Sequence, residues 1–118
     1  MKVKDMKNTG EIKIPILNNE YKVIVVFGDN KVVSKCLKRH KFKDTDFEYG
    51  TDRAVTVFEE ETHPVIALPR KPKTPEEIGN LSHEAVHAVK YLFDFIGEKS
   101  IDEVFAHSVG AIVREALS

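Results

Sequence analysis

The chain has 118 residues and a mass of 13.4 kDa, the size of one domain. Eighteen Lys and Arg face nineteen Asp and Glu, a formal net charge of −1. That balance excludes a globally basic nucleic-acid binder and a strongly acidic tail protein. Cys36 is the sole cysteine, which excludes an intrachain disulfide and a four-cysteine metal cluster.

The stretch Met1 to Asn8 is charged and has no apolar run behind it, so no secretory signal is expected. The apolar run Val23 to Phe27 falls far short of the roughly 20 residues a membrane helix needs. These features predict a soluble, cytoplasmic protein without a membrane partner. They also predict one domain over 1–118, with residues 1–10 as a loose N-terminal segment.

In chain order, Glu11 to Leu17 alternates polar and apolar residues, and Asn18-Asn19 supplies a turn. Glu20 to Phe27, rich in Val and Ile, reads as the return strand of a hairpin. Pro15 cannot donate to a ladder, which predicts an edge position for the first strand. Gly28-Asp29-Asn30 is a second turn. Lys31 to His40 reads both ways: Val32-Val33 favours a strand, and the lysine spacing allows a helix. Arg53 to Phe58 and His63 to Leu68 are two further strand candidates around the acidic turn Glu59 to Thr62.

Prolines 69, 72 and 75 then enforce a loop. Thr74-Pro75-Glu76-Glu77 has the form of a helix start, with Thr as cap, Pro first and Glu three residues after the cap. Apolar residues at 78, 81, 85, 89, 92, 93 and 96 recur at helical spacing. Gly79-Asn80 is a weak point near the start of this helix, and Gly97 is placed to end it. Ser100-Ile101-Asp102-Glu103 is a second capping box, opening a helix to about Leu117. A small sheet followed by two helices is an α+β fold.

The first of these helices contains His83-Glu84-Ala85-Val86-His87, an H-E-x-x-H sequence. With five histidines and twelve glutamates in the chain, chance supplies one such sequence about 2 times in 100. Residues i and i+4 project about 40° apart around a helix, so both imidazoles leave one face and reach one Zn2+. Glu84 is placed to take a proton from a water that the metal activates. A hydrolytic zinc site needs a third protein ligand and an open position. Downstream candidates are Asp94, Glu98, Asp102, Glu103 and His107. A second helix returning antiparallel after Gly97 carries Glu103 and His107 back toward His87. Glu103 also has a competing role in its capping box, and His107 suits a supporting or transition-state hydrogen bond better than ligation.

These residues resemble the gluzincin group of zinc metallopeptidases, through H-E-x-x-H at 83–87 followed by Glu103-Val104-Phe105-Ala106 as E-x-x-A. A chain of this length is similar to minimal single-domain gluzincins and to small peptidase domains of phages and mobile elements. The resemblance implies a zincin-like domain with a mixed sheet ahead of the active-site helix. It implies His83, His87 and Glu103 as zinc ligands and Glu84 as general base. It also implies a peptide or protein substrate held on an edge strand, expected at Val65, Ile66, Ala67 and Leu68. Tyr91, His63 and His107 are the available oxyanion or supporting donors. The thermolysin-like members carry E-x-x-x-D, and here that offset from Glu103 is His107.

Two other readings accompany this one. Peptide deformylases also use H-E-x-x-H and add an upstream cysteine, for which Cys36 in Ser34-Lys35-Cys36-Leu37-Lys38 is the counterpart, without the preceding Gly. A zinc-binding or degenerate zincin could instead act as a non-catalytic interaction or assembly protein. The basic stretch Lys31 to Lys43 gives way to Asp44, Asp46, Glu48 and Asp52 without interleaved aromatics. It reads as a solvated surface, not as a nucleic-acid platform.

Overall fold

The computed structural model describes residues 10–16, 21–50, 53–96 and 102–118, and the side chains of all of these except 95, 96, 102 and 103. Among the described residues, four strands and three helices follow one another: β1 (Glu11–Ile16), β2 (Tyr21–Phe27), α1 (Asn30–Arg39), β3 (Val55–Val57), β4 (Val65–Leu68), α2 (Pro75–Ile96) and α3 (Asp102–Leu117). The fold is a small α+β domain with one mixed sheet in the order β1-β2-β4-β3.

The hairpin β1–β2 is antiparallel, with Ile14 opposite Val23 and Pro15 opposite Lys22. β1 is an edge, as Pro15 requires. Lys31 to His40 resolves as helix. Asp29 caps it, its carboxylate accepting from the Val32 N–H at 3.0 Å, and Val33, Cys36 and Leu37 form one buried stripe. This helix is an element that a sheet followed by two helices leaves out. With α1 in the connection, β2 and β4 pair in parallel, Val25 opposite Ile66.

β2 carries four consecutive fully buried residues, Val23 to Val26, and β4 is buried throughout. Such runs belong to strands covered on both faces. One face, with Val23, Val25, Ile66 and Leu68, packs on Leu81, Ala85, Val89 and Leu92 of α2 and Ile112 and Ala116 of α3. The other, with Ile24, Val26, Val65 and Ala67, packs on Val33, Cys36 and Leu37 of α1. The sheet is thus the middle of three layers. Phe93 of α2 meets Phe105 of α3 edge-on at 5.6 Å, which joins the two helices on their side of the sheet.

The placement of β4 corrects one expectation. Val65, Ile66, Ala67 and Leu68 do not form an edge. They pair with β2 on one side and with β3 on the other, so their backbone groups are already engaged. The edge strand on that side is β3. The sequence shows two short strand-like runs in succession, and nothing local says which of them lies outermost.

Candidate functional site

The site stands on α2, whose start is strongly specified. Thr74 Oγ1 accepts from the Glu77 N–H at 3.1 Å, and Glu77 Oε1 accepts from the Thr74 N–H at 3.1 Å, the expected capping box. Glu77 Oε1 also accepts from the Lys73 N–H, and Oε2 from Arg70. Backbone N–H donors, those of Lys73 and Thr74, do most to hold its carboxyl down at about 2. The helix then runs through Gly79-Asn80 without a break. The capping box expected at Ser100 lies outside the described residues.

Ala85, Ala88 and Val89 point into the core and fix the rotation of α2 about its axis. His83 and His87 are consequently exposed on the opposite side, with Glu84 half-buried between that face and the sheet. The two Nε2 atoms lie 3.0 Å apart, and the rings meet edge to face at 4.6 Å. Two nitrogens on one tetrahedral zinc lie about 3.3 Å apart, so a small ring movement accommodates the ion. A carboxylate oxygen of Glu84 lies within 4.8 Å of both imidazole nitrogens. The donor set of two imidazoles beside a carboxylate suits zinc.

Thr56, in the middle of β3, donates its hydroxyl toward Glu84 Oε1 at 2.8 Å and toward the Glu84 carbonyl at 3.1 Å. The edge strand is therefore tied to the centre of the motif. Sequence reasoning missed Thr56, because 28 residues separate it from Glu84 and a threonine in a strand carries no distinguishing signal.

No family model, curated protein or solved structure matches the chain.

The other expected site residues are distributed as follows. Glu103 lies in the first turn of α3, and its side chain is outside the described residues. His107 is exposed on α3. Tyr91 lies one turn beyond His87, but its hydroxyl donates to the Glu59 carbonyl at 2.7 Å and its ring stacks on Phe58 at 4.4 Å. Burial, then the charges of Glu60 and Glu59, push its phenol upward. His63 is half-buried just before β4. Burial lowers its pKa, and the charges it feels are those of Lys22 and His40, not those of α2. The structure thus brings His83, Glu84 and His87 together and leaves His63 elsewhere.

Cys36 is also elsewhere. It is fully buried in the α1 layer, across the sheet from α2. Burial, followed by the charge of Glu11, pushes its thiol up to about 12. Its polar neighbours are Glu11 and His40. Glu11 accepts from Arg39 Nη2 at 2.7 Å and Nε at 3.1 Å through one oxygen, and meets His40 Nε2 through the other. Burial alone would raise the Glu11 carboxyl, but hydrogen bonds from His40 and Arg39 outweigh it and leave it lowered. With a guanidinium already on the carboxylate, this group acts as an ionic clamp between β1 and α1.

Proposed function

We propose that this domain is a zinc-dependent metallopeptidase of zincin type, cleaving a peptide bond with an activated water. The observation that carries the reading is the convergence of two exposed imidazole Nε2 atoms, 3.0 Å apart, beside the Glu84 carboxylate. His83 and His87 would hold the ion, with Glu103 as the third ligand that the E-x-x-A resemblance implies. Zinc bound there supplies a Lewis acid for the scissile carbonyl and acidifies water to near neutrality.

The remaining chemistry belongs to the chain. Glu84 takes a proton from the attacking water as the new C–O bond forms. It returns that proton to the departing amine as the C–N bond breaks. A carboxylate suits this task when it is ionised at rest and held beside the attacking water. The extended substrate is assigned to the open side of β3, the edge strand tied to Glu84, and not to β4. The exposed ring of Phe58, at the end of that strand, offers it an apolar contact.

The test is zinc content by elemental analysis, together with turnover of a dye-labelled unstructured protein, in wild type and Glu84→Gln. One equivalent of zinc in both, with turnover lost in the variant, is expected. Zinc without Glu84-dependent turnover would replace the peptidase by a non-catalytic zinc-binding interaction protein. Absence of zinc uptake would refute both.

A further inference from the structure

We infer that Thr56 is a positioning residue for Glu84, holding one oxygen of the carboxylate so that the other stays available to a proton. The kinetic half of this inference rests on the metallopeptidase reading, while the hydrogen bond stands without it. Thr56 is fixed on three counts. Its backbone is opposite Ile66 in the β3–β4 ladder, so the strand cannot slide. Val57 packs on the α1 layer and Ala54 on the α2 layer, so the period of two places Thr56 on the α2 side. The branched side chain is restricted at χ1, so the backbone leaves the hydroxyl few positions.

That hydroxyl has one proton and two acceptors, both on Glu84. The carbonyl contact sets where α2 sits against β3. The carboxylate contact restrains a side chain that otherwise rotates about three bonds. Thr56 engages Oε1, and among the described residues no hydrogen bond reaches Oε2. A general base gains from this arrangement, since misplacement by about 1 Å costs roughly a hundredfold in rate. The strand assigned to the substrate is also the strand that holds the base, so a peptide docking on β3 meets a carboxylate already oriented.

A purely structural staple between β3 and α2 is the competing explanation, and the experiment separates them. The full chain, metal-free and labelled with 13C-glutamate, gives a carboxyl resonance for Glu84, assigned by its loss in Glu84→Gln. At pH 7, Thr56→Val should move this resonance and Thr56→Ser should leave it in place. In zinc-loaded protein acting on the dye-labelled unstructured substrate, Thr56→Val should lower kcat roughly tenfold with KM and zinc affinity unchanged, and Thr56→Ser should restore most of it. Should Thr56→Val fold poorly, Thr56→Ala serves in its place. An unmoved Glu84 resonance in the Val or Ala variant overturns the inference, as does an equal loss of kcat in Val and Ser. Wild type without Glu84-dependent turnover overturns the metallopeptidase reading instead, and the resonance still decides whether Thr56 holds the carboxylate.

Discussion

Zinc should stabilise this fold through His83 and His87, and the size of the effect can be worked out. A ligand that binds only the folded chain at 100 times its Kd contributes about 2.7 kcal/mol. Unfolding entropy is about 2.1 cal/mol/K per residue, or about 0.25 kcal/mol/K for a chain of this length. Saturating zinc should therefore raise Tm by about 11 °C. Both histidines are exposed, and their packing contribution is small. Surface substitutions of this kind stay within about 0.5 kcal/mol each, so the double variant His83→Ala/His87→Ala should lie within about 4 °C of wild type without metal. Differential scanning fluorimetry with and without zinc, at one protein concentration, reads both quantities. The variant should keep its metal-free Tm and lose the zinc-dependent rise. An equal rise in wild type and double variant would place the ion elsewhere, with Glu11, Cys36 and His40 the first group to examine, and would refute the convergence argument.

Other outcomes test neighbouring parts of the structure. Cys36→Ser should leave zinc uptake unchanged, because the thiol lies across the sheet from α2, and should cost about 1–3 kcal/mol for burying a hydroxyl; loss of zinc would instead support a deformylase-type ligand set. Tyr91→Phe should cost about 1 kcal/mol, or about 4 °C in Tm, by removing the bond to the Glu59 carbonyl, with turnover nearly unchanged. A hundredfold fall in turnover would mean that the hydroxyl leaves Glu59 to serve the reaction. Thr74→Ala should cost about 1 kcal/mol as a lost helix cap, measured by urea denaturation. Glu77 is held near 2 in the folded chain, against 4.5 ordinarily, so its stabilisation is complete above about pH 4.5 and fades as pH falls toward 2. The Tm gap between wild type and Glu77→Gln should accordingly narrow across that window, and a gap that widened on acidification would contradict the capping role.

Much of α2 was legible from local signals. Its cap, its first-turn glutamates and its apolar stripe each act within a few residues, and all three agree. The hairpin and the edge position of β1 follow in the same way, from alternation and from the missing N–H of Pro15. The spacing of His83 and His87 is likewise a local property, because helix geometry alone brings i and i+4 together. The segment Lys31 to His40 was harder, since Val32-Val33 satisfies both periods. Burial of Val33, Cys36 and Leu37 on one face is what settles it as helix.

What the sequence by itself determined, then, is the set of contacts made within one helical turn or between two strands that are neighbours in the chain. Tertiary structure decided the rest, because pairing between distant strands depends on which faces α1, α2 and α3 cover. Only that arrangement makes β3 the edge in place of β4, puts Cys36 with Glu11 instead of with the histidines, and sets Thr56 against Glu84. The pairing of β2 with β4, of Cys36 with Glu11 and of Thr56 with Glu84 each joins residues 25 or more positions apart, where no residue type announces its partner.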